Sequence, residues 1–150
     1  MILVTVGTTM PFDELLMQVD RVAASDLITE PILCQSGHST YRMKYGTQFV
    51  GRSTLADLIE ESSLVITHGG STVIQLLLAG KPFIAFPNPR GAGDHQTSFL
   101  LQVAELADIS WSRDVNDLAG LIQQRRSLGA MSFSPTHPRI ADQIRAMFIR

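Results

Sequence analysis

A glycine turn flanked by polar side chains is the part of this sequence best suited to bind a ligand. His68 is followed by Gly69 and Gly70, and then by Ser71 and Thr72. Two glycines let the backbone approach a ligand closely, and the free N–H groups at the start of a following helix favour an anion, most often phosphate. The turn therefore predicts a phosphate-binding site. The alternative is that the glycines only permit a tight strand-to-helix turn.

His68 supports the ligand-binding interpretation, because it follows an apolar run at residues 64–67 that is long enough for a buried strand. A polar ring at the carboxyl end of such a strand lies where open parallel sheets bind ligands. The alternative is a structural histidine whose ring is satisfied within the protein.

The elements around the turn form a strand, turn, helix and strand. Ser71 or Thr72 is expected to cap the helix, and Gly80-Lys81-Pro82 is expected to end it, because glycine suits the left-handed residue after a helix. Residues 83–86 are apolar and predict the next strand. The unit has the size of a parallel crossover.

A second group of polar side chains is Asp94, His95 and Gln96. It follows residues 87–93, whose two prolines and two glycines predict an exposed loop. Asp94 is expected to cap a helix that runs to about residue 107. Side chains in the first turn of that helix would be able to hold sugar hydroxyls. An N-cap with solvated neighbours is the alternative.

Strands alternate with helices along the chain, which predicts an α/β, Rossmann-like doubly wound parallel sheet. Three predicted strand ends carry glycine and polar residues, and loops on one edge of a parallel sheet converge. The sequence therefore predicts an anion-binding cleft in one small domain. These three loops are Gly7-Thr8-Thr9, Gln35-Ser36-Gly37 and His68-Gly69-Gly70.

Composition excludes several classes of protein. A formal net charge of −2 provides no basic field for nucleic acid. The single cysteine, Cys34, excludes an internal disulfide framework and a multi-cysteine zinc site. No cluster of carboxylates suggests a metal. The first apolar run stops at Gly7, which is too short for a signal peptide, and no apolar run is long enough to cross a membrane.

We expect one domain over residues 1–150, in which residues 131–137 form a linker and residues 138–150 a final helix. Ile140, Ile144, Met147 and Phe148 share one stripe of that helix. Such a stripe packs on its own domain, docks on a partner or lies on a membrane surface.

The sequence resembles the C-terminal, donor-binding half of the family 28 glycosyltransferases of the GT-B fold. More closely, it resembles the small soluble subunits of split UDP-sugar transferases in that family, including those of dolichol-linked glycan assembly and bacterial exopolysaccharide synthesis. Five segments carry it, in the family's order and approximate spacing across residues 1 to about 107. They are ILVTVGTTMPFDELL, QSGHSTY, DLIEESSLVITHGGS, AGKPFIAFPN and DHQ.

The resemblance implies that the glycine turn contacts a donor diphosphate, that the first loop borders the cleft and that the DHQ segment contacts the sugar. In the family, the helix after the glycine turn commonly carries a glutamate that binds the ribose hydroxyls. The family's glycine turn is also one residue longer than the turn in this sequence. Gln75 lies nearest that position and would bond a hydroxyl as a neutral partner. With His68 included, eleven residues are expected to bind the donor. They are Gly7, Thr8, His68, Gly69, Gly70, Ser71, Thr72, Gln75, Asp94, His95 and Gln96.

The resemblance also implies a partner, because a whole GT-B enzyme needs a second Rossmann-like half for the acceptor. We expect a hexosyltransferase that moves a sugar from a UDP-sugar to a lipid-linked acceptor. Its general base would lie on a membrane-associated acceptor-binding subunit, which would recruit this cytoplasmic chain to the membrane face. We expect no metal and no cofactor. The alternatives are a stand-alone nucleotide-sugar hydrolase or epimerase, and a non-catalytic module that binds a nucleotide or a protein.

Overall fold

The fold is built on six parallel strands, seen in a computed structural model that describes residues 1–91 and 94–127. The strands are β1 (Ile2–Thr5), β2 (Ile32–Gln35), β3 (Thr47–Phe49), β4 (Leu64–His68), β5 (Phe83–Phe86) and β6 (Ser110–Trp111). The helices are α1 (Asp13–Ala24), α2 (Ala56–Glu61), α3 (Thr72–Ala79), α4 (His95–Leu106) and α5 (Leu118–Ser127), the last preceded by a 3₁₀ turn at Val115–Asp117.

The strand order is β3-β2-β1-β4-β5-β6, and every neighbouring pair is parallel. The chain winds outward from β1 through β2 to β3, and then returns to the centre to wind outward again from β4. The two central strands are in register, with Thr5 beside Thr67. The loops that leave β1 and β4 therefore flank a crevice at the switch point of the sheet, where open α/β sheets bind ligands.

Both faces of the sheet are covered, which explains why its central strands are apolar without alternation. Helices α1 and α5 pack on one face against Ile2, Val4 and Ile66. Helices α2, α3 and α4 pack on the other face against Leu3 and Val65. The predicted doubly wound α/β sheet is confirmed, and the strands predicted at residues 64–67 and 83–86 are present as β4 and β5 within one residue of the expected bounds.

Two predicted helix caps are wrong in their mechanism. Ser71 and Asp94 do occupy the N-cap positions of α3 and α4, but neither side chain makes a capping hydrogen bond. Ser71 already has helical backbone angles, and Asp94 has a left-handed backbone with φ 59°. An N-cap side chain normally bonds from an extended backbone, which neither residue adopts. The predicted αL residue after α3 is confirmed at Gly80, with φ 65°.

The loop after β5 differs from the exposed loop that its prolines and glycines predict. Pro87 and Asn88 are buried, and only from Pro89 onward does the backbone reach the surface. Ala92 and Gly93 lie outside the described residues, as do the predicted linker at 131–137 and the predicted helix at 138–150. Among the residues that the structure describes, no helix combines the length and the apolar character needed to cross a membrane.

Candidate functional site

The loops after β1, β2 and β4 meet at the carboxyl edge of the sheet, as the sequence predicts. A Cβ built on Gly37 would lie 2.1 Å from the carbonyl oxygen of Gly7, so the β1 and β2 loops touch backbone to backbone. A Cβ built on Gly7 would lie 2.9 Å from Nε2 of His68. Gly7 and Gly37 both have positive φ, at 78° and 54°, a region that L side chains rarely adopt.

The ring of His68 fills the crevice between the two central strand-end loops. A Cβ on Gly70 would lie 2.2 Å from Cε1 of His68, so the ring lies between Gly7 and Gly70. Burial lowers the pKa of His68 below its ordinary value, because a charged ring would lose its hydration there. His68 is therefore neutral at neutral pH, and its ring is a polar group at the switch point of the sheet.

Gln96, in the first turn of α4, ties the loops of β4 and β5 together. Its Oε1 accepts hydrogen bonds from the backbone N–H groups of Gly69, at 3.2 Å, and Asn88, at 2.7 Å. Its Nε2 lies 3.3 Å from Nδ1 of His68. One amide side chain thus joins three backbone or ring groups, which places the first turn of α4 against the glycine turn.

The two glycines of the turn make room for different groups. A Cβ on Gly69 would lie 2.9 Å from Cδ1 of Leu100 and 3.1 Å from Cβ of Gln96, so this glycine lets α4 pack against the turn. Gly70 instead leaves room for the His68 ring. The structural role that the sequence analysis held open as an alternative therefore applies to Gly69, and its N–H is already paired with Gln96.

The start of α3 presents free donors beside the crevice. Within residues 1–91 and 94–127, no acceptor pairs with the backbone N–H groups of Gly70, Ser71 and Thr72. The first turn of α3 also contains no acidic residue. Unpaired N–H groups and the positive end of the helix dipole together favour an anion at this position.

Helix α1 starts at the same edge of the sheet, but its first turn is unsuited to an anion. It carries the acidic residues Asp13 and Glu14. Ser39 Oγ accepts the N–H of Phe12 at 2.9 Å, and the carboxylate of Asp13 accepts the N–H of Thr40 at 2.8 Å. The QSGHSTY segment therefore closes the start of α1, so that of these two helices α3 is the better suited to an anion.

The remaining predicted site residues lie around this centre without joining its hydrogen bonds. Thr72 is half-buried at the start of α3. The other side chains are exposed, and no partner is found for them in the described part of the chain; they are Thr8, Ser71, Gln75, Asp94 and His95. The structure therefore brings Gly7, His68, Gly69, Gly70 and Gln96 together, and the rest lie in the β1 loop or near the starts of α3 and α4.

Asn88 is a site residue that sequence reasoning missed. Its side chain donates from Nδ2 to the carbonyl of Pro11 at 3.0 Å, and its Oδ1 accepts the N–H of Arg90 at 3.1 Å. Arg90 in turn forms a bidentate ion pair with Glu14 on α1. The signal was available, because an asparagine between two prolines directly after a buried strand is a turn former at the functional edge.

The described residues contain no group of three or more histidine, cysteine, aspartate or glutamate side chains placed to hold a metal ion. The groups at this edge that could receive an anion are backbone N–H groups, a helix dipole and a neutral histidine. Such groups can bind a phosphate directly.

Comparison with solved structures identifies the class of fold to which this chain belongs. A crystal structure of Acinetobacter baumannii MurG is similar with a TM-score of 0.56 and 17% identity, over 97% of this chain and 49% of that chain. The glycotransferase of kitacinnamycin is similar with a TM-score of 0.60 and 14% identity, over 98% of this chain and 38% of that chain. The fold is therefore that of the C-terminal half of a GT-B glycosyltransferase.

The family follows from the sequence itself. The family model described as glycosyltransferase family 28 C-terminal domain matches residues 1–124. The chain belongs to glycosyltransferase family 28, as the resemblance of its five segments predicts. It spans about half or less of the length of the two solved structures. A search of curated proteins gave no significant match.

Proposed function

We propose that this chain is the donor-binding subunit of a two-component glycosyltransferase that moves a hexose from a UDP-sugar to a lipid-linked acceptor. The observation that carries the proposal is the start of α3, where the N–H groups of Gly70, Ser71 and Thr72 are free beside the switch-point crevice. Membership of family 28 supports a nucleotide-sugar diphosphate as the anion.

The donor would lie along the carboxyl edge of the sheet with its diphosphate at the start of α3. Gly7 and Thr8 would border the diphosphate from the β1 side, while Asp94 and His95 would face the sugar from the exposed first turn of α4. Gln75, exposed on the second turn of α3, would bond a ribose hydroxyl. His68 would contribute a neutral polar group between the two loops.

The reaction would be a direct displacement at the anomeric carbon. An acceptor hydroxyl attacks that carbon, the bond to the β-phosphate oxygen breaks, and UDP leaves with the bonding electrons. The start of α3 stabilises the negative charge that develops on the leaving diphosphate, so the proposal requires no metal. The proton of the acceptor hydroxyl passes to a general base on the acceptor-binding subunit.

The partner half is part of the proposal because the chain spans 49% and 38% of the two similar structures. A membrane-associated partner would hold the lipid-linked acceptor, as in exopolysaccharide or glycolipid synthesis, and would recruit this chain to the cytoplasmic face of the membrane. The chain's formal net charge of −2 gives it no basic surface field of its own for anionic lipid.

Calorimetric titration of the full chain with uridine, UMP, UDP and GDP tests the phosphate assignment. We expect affinity to rise from uridine to UDP, and GDP to bind less tightly than UDP. A uridine affinity equal to that of UDP would contradict an anion site at α3. Absence of all nucleotide binding would favour the non-catalytic alternative.

Transfer is tested with a UDP-sugar labelled in the sugar. We expect label in a lipid extract only when membranes from the source cells are added to the chain. Release of free labelled sugar by the chain alone would favour the stand-alone hydrolase.

A further inference from the structure

We propose that Gln96 is a positioning residue that holds His68 as its Nε2–H tautomer, so that the ring presents a hydrogen-bond donor to the crevice between β1 and β4. The resemblance to the family implies a sugar contact for Gln96. In the structure, both the oxygen and the NH₂ group of its amide instead contact groups of the protein itself.

The orientation of the Gln96 amide follows from its backbone partners. Two N–H groups, those of Gly69 and Asn88, point at the same atom of the amide, at 3.2 and 2.7 Å. An N–H group only donates, so the atom that receives both must be the oxygen. The other end of the amide, which lies 3.3 Å from Nδ1 of His68, must therefore be the NH₂ group.

The orientation of the amide determines the tautomer of the ring. An NH₂ group only donates, so Nδ1 of His68 has to accept. A neutral imidazole with an accepting Nδ1 carries its proton on Nε2. Protonation of Nδ1 would set two donors against each other, and burial of the ring also favours the neutral form.

The protonated nitrogen is the ring atom that lies nearest to the β1 loop. Nε2 lies 2.9 Å from the position of a Cβ on Gly7 and 3.0 Å from that of a Cβ on Gly70. These short distances show that the ring itself packs against both glycines, so a side chain at either residue would displace it. No acceptor for Nε2 is found among the residues that the structure describes. Oγ1 of Thr67 is the only fully buried side-chain polar atom without a partner found among the described residues, so Nε2 is unpaired but not sealed from solvent. The Nε2–H group is therefore available to an oxygen atom at the mouth of the crevice.

The tautomer is a property of the free chain, whereas its effect on ligand affinity rests on the proposed donor-binding function. With Nε2–H toward the crevice, His68 adds one donor to the N–H groups at the start of α3. With the opposite tautomer, a lone pair would face the diphosphate oxygens and repel them. Gln96 would thus control UDP affinity through His68.

Long-range ¹H–¹⁵N correlation spectra of the histidine rings in the ¹⁵N-labelled full chain test the tautomer directly. The His68 signals are identified by their loss in His68→Gln. At pH 8 we expect a neutral His68 ring with its proton on Nε2. A ring protonated on Nδ1, or an even mixture of the two tautomers, would overturn the proposal without the need for any Gln96 variant.

Gln96→Glu tests whether Gln96 is the cause. Its carboxylate still accepts the N–H groups of Gly69 and Asn88, but it cannot donate to Nδ1. We expect the His68 proton to move to Nδ1 at pH 8, and UDP affinity to fall by roughly tenfold or more. Gln102→Glu, the same change at an exposed position of α4, should leave both unchanged.

The outcomes separate this inference from the proposed function. An Nε2–H tautomer that persists in Gln96→Glu would overturn the positioning role, whatever the chain binds. The expected tautomers in a chain that does not bind UDP would leave the positioning role intact and count against donor binding.

Discussion

The carbonyl oxygen of Gly7 lies 2.1 Å from the place that a Cβ on Gly37 would occupy. No rotation of a side chain can relieve that contact, because the backbone fixes the positions of both the oxygen and the Cβ. The two glycines therefore allow the loops of β1 and β2 to meet, and the edge of the sheet that carries the candidate site depends on this contact.

Gly37→Ala should destabilise the protein by roughly 2–4 kcal/mol, since the new methyl group meets a backbone oxygen and φ is 54°. Urea unfolding followed by circular dichroism measures the loss. The matched control is Gly120→Ala on α5, where nothing lies within 4 Å of the new Cβ and a helical glycine is replaced. That variant should gain about 0.5–1 kcal/mol. Equal effects at the two positions would contradict the packing described here.

The pH dependence of stability should carry a contribution from His68. Burial lowers its pKa in the folded state below the ordinary value of 6.5, so the unfolded chain binds more protons between the two pKa values. The contribution of the neutral His68 ring to the free energy of unfolding is therefore complete above about pH 6.5. It is lost as the pH falls toward the pKa of His68 in the folded state.

Thermal unfolding of the wild type and of His68→Gln between pH 8 and pH 5 measures that contribution. We expect the melting temperature of the wild type to fall more steeply below pH 6.5 than that of the variant. Parallel curves would mean that the ring is as easily protonated in the folded chain as in the unfolded chain.

Cys34 should be unreactive in the folded protein. It is fully buried on β2, and burial raises its pKa to about 12, so almost no thiolate exists at pH 8. A disulfide reagent such as dithionitrobenzoate should react only after denaturant is added, with one thiol per chain. Complete reaction within minutes under native conditions would show that β2 opens readily.

Asp20 should matter to stability more than any exposed acidic residue. Its carboxylate is 4% exposed and accepts hydrogen bonds from the hydroxyl of Tyr41 at 2.7 Å and from the N–H groups of Lys44 and Tyr45. Asp20→Asn sets an NH₂ group against some of these donors, and we expect a loss of roughly 2–4 kcal/mol in urea unfolding.

The control for Asp20 is Asp57→Asn, because Asp57 pairs with Arg52 at the surface and both side chains are exposed. That change should cost less than about 1 kcal/mol. A loss at Asp57 as large as that at Asp20 would contradict the assignment of the buried carboxylate as the anchor of residues 41–45.

Periodicity and turn residues predicted the sheet, its helices and the edge that carries the site. Buried parallel strands are continuous apolar runs, so they can be recognised without knowledge of their neighbours. Gly80 is a further success, because a helix that ends in the left-handed region selects glycine locally.

The hydrogen bonds of the site could not be predicted in the same way. Gln96 bonds to Gly69, which is 27 residues away, and Asn88 bonds to Pro11, which is 77 residues away. Such pairs depend on how the loops of different strands are placed, which no local pattern records. The caps at Ser71 and Asp94 failed because neither residue has the extended backbone from which an N-cap side chain bonds, and residue type alone does not report that backbone conformation.

We propose above all that the glycine turn at the start of α3 binds a diphosphate. The most direct test is calorimetric titration of UDP into the wild type and into Gly70→Ala, in which the new Cβ would displace the His68 ring from its place 2.2 Å away. We predict saturable binding by the wild type without added metal, and affinity at least roughly tenfold lower in a variant that remains folded by circular dichroism. No binding by the wild type, or equal binding by both proteins, would contradict the claim.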